Sequence, residues 1–311
     1  MARNKIYGLI GYPVKHSLSA LMHNAAFAHL GINAEYRLFE VKPEELISFL
    51  MEPDKEFEDV EGRSIRAGDI SGFNITIPYK VRAREILEEK FSVDKLTKKE
   101  DLHYVRLSGA VNTIRRDKHM LRYWNTDAPG FLKSLDRDLK FKTSGRSVML
   151  IGCGGAGRAI IAALTWKQRG IKKIYVNDIN QAAIEAAEKH FSQFFYLKGK
   201  LEFIRDNSRI SEKITSCQLL VNATPTGMKD ADPSPIDKSL LHKELYVYDV
   251  VYNRKTQLIK DAQSLGLPAK AGDGMLLYQG VDAFALWLGK SLSVDTIDIM
   301  RGALNTALNK K

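Results

Sequence analysis

Apolar and polar positions along the chain switch repeatedly between two periods. Residues 5–10 form a short apolar run that stops at Gly11-Tyr12-Pro13. From Ser19 to Leu30 the apolar positions Leu21, Ala25, Phe27, Ala28 and Leu30 follow helical spacing. Residues 35–39 alternate as a strand does, and Pro43 opens a helical stretch to Leu50, where proline suits a first turn. Residues 72–77 predict a strand ended by Pro78, and residues 81–89 predict a helix. Strands follow at 110–115 and 121–124, joined by the polar turn Arg116-Asp117-Lys118-His119. Strands alternating with helices predict an α/β layer architecture.

A second series begins near residue 127. Residues 147–151 are an apolar strand that runs into a glycine cluster, with a helix from Arg158 and a strand at 174–176. Further strands are expected at 201–204, 218–222, 246–251 and 268–271. After Gly272 the stripe Leu276, Leu277, Val281, Phe284 and Leu288 is helical again and is expected to return to the first series. The prediction is two α/β domains: residues 1–126 with 272–311, and a Rossmann-like domain, 127–271, inserted between them, with the active cleft between the two.

Composition narrows the classes. A chain of 311 residues exceeds the ~250 at which single cores usually stop growing. It is 44% apolar and 27% charged, as ordinary soluble enzymes are. No apolar run approaches the ~18 residues of a membrane span, and the N-terminus lacks a signal-peptide core. The two cysteines, Cys153 and Cys217, stand apart from any metal-like spacing, which points to a reduced, cytoplasmic setting. The net charge of +10 is spread among acids, as in the patch from Lys95 to Arg106, which also holds Glu100 and Asp101. It suits anionic small molecules, with no nucleic-acid motif to frame it. Neither a membrane nor a nucleic-acid partner is expected, and the assembly is a monomer or homodimer.

The glycine cluster carries the first chemistry. Gly152-x-Gly154-x-x-Gly157, with Gly155 and Ala156 inside it, follows a strand and opens a helix. Glycines there allow a tight turn and close backbone approach, and the helix N-terminus offers free N–H groups to a pyrophosphate. Asp178 lies 21 residues after Gly157, where an acid accepts hydrogen bonds from the adenine ribose. A carboxylate there repels a 2′-phosphate, so NAD is expected over NADP, with NADP still usable. The competing reading of Asp178 is a turn former before Ile179-Asn180. Arg158 is near enough in sequence to pair a phosphate.

Five polar clusters sit at strand ends or loops: Ser17-Leu18-Ser19; Asn74 to Lys80; Gly109 to Thr113; Asn125-Thr126-Asp127; and Gly274 to Gly280. Singly, each reads as a loop. Together and in this order, with the glycine loop in their midst, they closely resemble the shikimate dehydrogenase family, including its quinate/shikimate branch, from Gly8 to about Gly289. The resemblance implies an oxidoreductase that acts on the secondary alcohol of a small ring hydroxy acid. It implies Lys80 and Asp127 as the catalytic pair and Ser17 and Ser19 as the hook for the substrate carboxylate. It further implies Thr76, Asn112 and Gln279 as hydroxyl binders and Tyr252 as a wall of the site. Thr224, in the loop Asn222 to Met228, would lie beside the nicotinamide, with Gly274 and Met275 opposite.

Departures from the family pattern are informative. Many members carry an Asn-Arg pair after the second nucleotide strand and use NADP, whereas this chain has Asn177-Asp178. Asp273 is an unusual acid in its motif, and Gly157 is commonly alanine or serine in relatives. Other residues are expected to be inert. His16 is placed in a loop, His23 on the helix surface or behind the site, and Phe194, Phe195 and Trp124 in packed surfaces. No convergent metal ligands are evident. Two alternatives stand beside this reading. One is a methylene-tetrahydrofolate-type dehydrogenase, which has no use for the Ser17/Ser19 hook. The other is a regulatory paralogue that binds ligand without turnover, which need not keep both Lys80 and Asp127.

Overall fold

The computed structural model describes residues 4–92, 98–117, 120–166 and 169–309. The predicted turn residues Lys118 and His119, and Lys95 of the basic patch, lie outside the described residues. The chain forms two compact units, Met1–Thr126 with Leu277–Lys311, and Asp127–Leu276.

The first unit is built on a sheet of β1 (Lys5–Gly11), β2 (Ala34–Glu40), β5 (Ile70–Ile75), β6 (Thr113–Asp117) and β7 (Met120–Trp124), in the order β2-β1-β5-β6-β7. β1, β2 and β5 run parallel, and β6 and β7 return antiparallel. The carboxyl ends of β1, β5 and β7 and the start of β6 therefore share one edge of the sheet. Helices α1 (Ser19–His29), α2 (Leu46–Met51), α3 (Lys80–Lys90) and α4 (Lys99–Ser108) connect the strands, and β3 (Glu56–Glu58) pairs with β4 (Ser64–Arg66) as a small hairpin. A core of Ile10, Phe39, Phe49, Phe73, Leu87 and Ile114 fills one face. The α4 helix hides its pattern under charge. It has Glu100 and Asp101 in its first turn and Arg106 in its last, and it stops where Gly109 adopts φ 61°. Residues 110–112, expected as strand, are loop, and β6 begins at Thr113.

The second unit opens with α5 (Asp127–Arg137). Its sheet is β8 (Ser147–Ile151), β9 (Lys173–Asn177), β10 (Leu201–Ile204), β11 (Leu219–Asn222), β12 (Tyr246–Asp249) and β13 (Ala269–Ala271), all parallel, in the order β10-β9-β8-β11-β12-β13. Counted within the unit this is 3-2-1-4-5-6, the dinucleotide-binding order, whose direction reverses between β8 and β11. Every residue of β8 is buried, as a strand covered on both faces requires. Helices α6 (Gly155–Leu164), α7 (Gln181–Ser192), α8 (Ile210–Ile214) and α9 (Gln257–Ser264) complete the unit. The helix expected from Arg158 thus starts one turn earlier, at Gly155. α10 (Asp273–Leu288) and α11 (Val294–Asn309) end the chain, and in the first unit α11 packs on α1. Among the described residues no helix is long and apolar enough to cross a membrane.

Candidate functional site

The shared sheet edge of the first unit gathers most of the polar clusters. Ser17 follows β1, and its N–H is tied to Val14 O (2.9 Å). Its hydroxyl donates to Ser19 Oγ (3.2 Å) and accepts from Ser19 N (3.3 Å). Ser19 is the first residue of α1, so both hydroxyls lie at a helix N-terminus, a favourable place for a carboxylate. Thr76 follows β5, with its N–H on Ile10 O (2.9 Å). It is packed so closely that a Cβ on Gly11 would come 2.4 Å from its methyl. Lys80 begins α3, and its carbonyl accepts from Val111 N (2.9 Å), which sets it beside Asn112.

Asn112 is the hub of this edge. Its Oδ1 accepts the backbone N–H of Thr126 (2.7 Å), and its Nδ2 donates to Thr126 Oγ1 (3.0 Å) and to Gln279 Oε1 (3.2 Å) on α10. Its backbone carbonyl accepts from Ile75 N (2.8 Å) and Asn74 Nδ2 (3.1 Å). Asn74 Nδ2 also donates to Thr113 Oγ1 (3.0 Å), and Asn74 Oδ1 accepts from the Tyr36 hydroxyl (2.9 Å). Asn74, Asn112, Thr113 and Thr126 are all buried. Asn125 Nδ2 donates to Ser108 Oγ (3.1 Å) and Ala110 O (3.1 Å) and so steadies the neighbouring loop. Tyr36, Asn74, Thr113 and Thr126 belong to this assembly although sequence reasoning gave them no role. Asn74, Thr113 and Thr126 lie inside the polar clusters of the sequence, but only the contacts separate them from spacers.

His23 lies behind this network. It is 0% exposed and stacks on Tyr36 (4.5 Å) and Phe284 (5.8 Å), with Trp287 tilted at 5.2 Å. Burial removes the helix-surface placement, and burial alone pushes its pKa down to about 3, so the ring is neutral. Among the described residues neither ring nitrogen finds a hydrogen-bond partner.

In the second unit the reversal of strand order places the glycine loop and the loop after β11 side by side. Gly152 adopts φ 98°, and a Cβ there would come 2.9 Å from the carbonyl carbon of Ala223. A Cβ on Gly157 would fall 2.0 Å from Gly152 O, so the first turn of α6 needs glycine at that position. Around Gly154 a Cβ would meet nothing, which leaves open space in front of the helix N-terminus. Gly155 and Ala156 form the first turn of α6. These features fit a pyrophosphate. Arg158 is buried, with Nε donating to Cys153 O (3.4 Å).

Asp178 serves the loop as well as its own turn. One oxygen accepts from Cys153 N (2.9 Å) and the other from Asn180 N (2.9 Å). Burial, with Asp178 beside it, pushes the Cys153 thiol up to about 12. Thr224 N (3.1 Å) and Thr224 Oγ1 (2.6 Å) both donate to Asn222 Oδ1, and Asn222 Nδ2 donates to Thr226 O (3.0 Å) and Asp249 Oδ1 (2.9 Å). Asp249 also accepts from Val251 N (3.0 Å) and the Thr256 hydroxyl (2.6 Å). Burial still pushes its pKa up to about 6 against those three donors.

The remaining site residues implied by the resemblance fall in the second unit. Asp127 is buried and opens α5, and Tyr252 follows β12 half-buried. Gly274 is packed on α5, where a Cβ would come 2.3 Å from Ser134 Oγ; Met275 beside it is buried. Asp273, the unusual acid, pairs with Lys270 Nζ (2.7 Å). Phe195 is 83% exposed, contrary to the packed surface expected for it, because it sits in a short turn after α7 and not on a helix face. Trp124 is buried, with the Arg115 guanidinium 5.8 Å from its ring. Among the described residues no group of three acids, histidines or cysteines is placed to hold a metal.

The family model described as "Shikimate dehydrogenase substrate binding domain" matches residues 9–114. Shikimate dehydrogenase (NADP(+)) of Methanopyrus kandleri is 34% identical over 308 residues, which cover 97% of this chain and 96% of that one. Among solved structures, a shikimate dehydrogenase in complex with NADP+ aligns with a TM-score of 0.78 at 29% identity over 99% of this chain and 97% of that one. Shikimate 5-dehydrogenase of Listeria monocytogenes, in complex with shikimate and NAD, aligns with a TM-score of 0.74 at 30% identity over 96% of each. With the matched motifs lying at one sheet edge in the first unit and a dinucleotide-type sheet in the second, the chain belongs to the shikimate dehydrogenase family of oxidoreductases.

Proposed function

We propose that the chain interconverts shikimate and 3-dehydroshikimate with a nicotinamide dinucleotide, and that quinate is a second substrate. The first unit would be the substrate domain and the second the nucleotide domain. The observation that carries the reading is the hub at Asn112, which collects Gln279 by side chain and Lys80 through Val111 at one sheet edge. Ser17 and Ser19 are short neutral donors suited to a ring carboxylate. Thr76, Asn112 and Gln279 offer hydroxyl and amide groups to the ring hydroxyls. The two free cysteines are buried, which suits a cytoplasmic enzyme.

The nucleotide, when bound, would supply the hydride in reduction and accept it in oxidation. Gly152 to Gly157 would hold its pyrophosphate, Thr224 and its loop the nicotinamide side, and Asp178 the ribose. Lys80 gives a proton to the developing alkoxide in reduction and takes it back in oxidation, with Asp127 as its partner. Two features oppose each other on the choice of nucleotide. The Asp178 carboxylate disfavours a 2′-phosphate. Arg205, which follows β10 at the level where Asp178 follows β9, favours one, although Glu185 and Glu188 hold it. The relatives named for NADP(+) add weight to NADP, so we assign it as the better substrate and NAD as the weaker.

Steady-state kinetics with shikimate and quinate, each with NADP and NAD, test the reading. Lys80→Ala should lower kcat on the order of 10²–10⁴-fold with little change in KM, the range for lost acid–base help. Adding Asp127→Asn should cost far less than the product of the two single effects, because paired groups act as a unit. Near-normal kcat in Lys80→Ala would remove the mechanism. A folded wild type that turns over neither substrate would favour ligand binding without turnover.

A further inference from the structure

We propose that Tyr36, Asn74 and Thr113 are positioning residues that, together with the Thr126 N–H, hold which face of the Asn112 and Gln279 carboxamides meets the substrate; this rests on the substrate reading above. A carboxamide presents either a donor or an acceptor, and a half-turn exchanges the two. The backbone contacts remove that freedom. Asn74 Nδ2 must be the end that faces the Asn112 carbonyl, because a carbonyl only accepts. Asn74 Oδ1 is then the end that faces Tyr36, whose hydroxyl hydrogen is committed to it. Thr113 Oγ1 accepts from Asn74, so its own hydrogen must pass onward, to Thr126 Oγ1 (2.9 Å) or Asn112 Oδ1 (3.2 Å). Asn112 Oδ1 also receives the Thr126 N–H, a donor that cannot turn round. Asn112 Nδ2 is thereby the end aimed at Gln279, and Gln279 must answer with its oxygen.

The hydrogens thus run in one direction, from Tyr36 through Asn74 and Thr113 to Asn112 and Gln279. Chains of this kind strengthen each member, and a missing member leaves a buried group unsatisfied. Tyr36 is itself clamped by the stacked His23 ring, which offers it no competing hydrogen bond. Every member is neutral, so the chain can orient the hydroxyl-binding amides without adding a charge beside an anionic substrate. The role is one of specificity. Loss of the chain should blur recognition of a ring hydroxyl more than it slows the chemical step.

The test compares shikimate with its 4-deoxy and 5-deoxy analogues, using wild type, Tyr36→Phe, Thr113→Val and Thr113→Ser. In the wild type at least one analogue should lose about 30-fold or more in kcat/KM. In Tyr36→Phe and Thr113→Val, kcat/KM for shikimate should fall about tenfold, mostly through KM. That is the effect of roughly 1.4 kcal/mol from one unsatisfied buried group. Discrimination against the same analogue should shrink by a similar factor. Thr113→Ser, which keeps the hydroxyl, should restore both. In an Asn112→Ala background, Tyr36→Phe should add little. A merely structural role would lower the melting temperature of Tyr36→Phe but leave discrimination intact. That result, or failure of Thr113→Ser to restore it, would overturn the proposal while wild-type turnover upholds the substrate reading. If the wild type turns over no substrate, the substrate reading falls and takes this inference with it.

Discussion

The two units solve one problem, holding a loop at the end of a sheet, with opposite chemistry. In the first unit the loops before β6 and after β7 are fastened by neutral amides and hydroxyls around Asn112, backed by a neutral His23. In the second, carboxylates do the fastening. Asp178 holds the glycine loop, Asp249 holds Asn222, and Asp232 takes the N–H groups of Gly227 (2.9 Å) and Lys229 (3.0 Å). Each of these acids faces backbone N–H or side-chain donors that satisfy it. A carboxylate with its donors already supplied by the protein repels an anionic ligand less than a bare one. The neutral edge adds no charge of its own beside the loops it holds.

Acid should therefore act on the two units in opposite directions. The folded pKa of His23 is depressed to about 3 from an ordinary 6.5, so in that window only the unfolded state binds the proton. Stability of the first unit should fall as pH drops below about 6.5, by up to about 1.4 kcal/mol per pH unit. Asp101, raised by burial, opposes part of this. Amide hydrogen exchange in β1 and β5 should show the loss between pH 6.5 and 4.5, on the order of 2 kcal/mol. His23→Phe keeps a ring in the stack and should flatten the slope. An unchanged slope in that variant would place the acid sensitivity elsewhere.

The second unit should respond the other way over a narrower window. Asp249 keeps its proton in the folded state up to about pH 6, whereas the unfolded residue ionises near 3.8. Stability contributed by this group is lost as pH rises from about 4 to 6 and regained on acidification, by up to about 3 kcal/mol. Asp206, Asp232 and Asp237 have lowered pKa values, so their contribution disappears only below the ordinary carboxylate range and leaves this window clear. Exchange at β11 and β12 amides should slow from pH 6 to pH 4.5 by about tenfold more than in Asp249→Asn. Equal behaviour of the two proteins would mean that Asp249 is ionised in the folded state.

Much of this contrast was legible in the sequence, but unevenly. The apolar run at residues 147–151 followed by Gly152-x-Gly154-x-x-Gly157 announces the nucleotide unit, because a strand buried on both faces and a glycine turn each have a local signature. The neutral hub had no such signature. Tyr36 meets Asn74, and Asn74 meets Asn112, each across 38 residues of sequence, and a polar residue in a motif reads alike whether it binds or merely spaces. His23 illustrates the same limit. A histidine amid helical periodicity suggests the polar face, and only the contacts with Tyr36, Phe284 and Trp287 reveal the core. α4 was hidden for another reason, since its charges complement the helix ends and mask its apolar stripe. Sequence position alone marks Asp178 as a ribose acceptor, whereas its bond to Cys153 N depends on the folded loop.

That bond yields the smallest and sharpest test. As a ribose acceptor alone, Asp178 should set the nucleotide preference strongly, but its oxygens already receive the N–H groups of Cys153 and Asn180. Part of its charge is thus offset before any ligand arrives, and its effect on a 2′-phosphate should be modest. Asp178→Asn keeps one oxygen for one of these N–H groups and removes the negative charge. The ratio of kcat/KM for NADP over NAD should rise about three- to tenfold, within ~1.4 kcal/mol, and most of the change should appear as a lower KM for NADP. Because one of these two N–H groups loses its acceptor, the KM for NAD should rise slightly as well. A ratio that stays constant while both KM values rise would show that Asp178 acts only as the loop's anchor. A ratio that rises a hundredfold would show that the N–H groups do not offset its charge, and would remove this part of the contrast between the units.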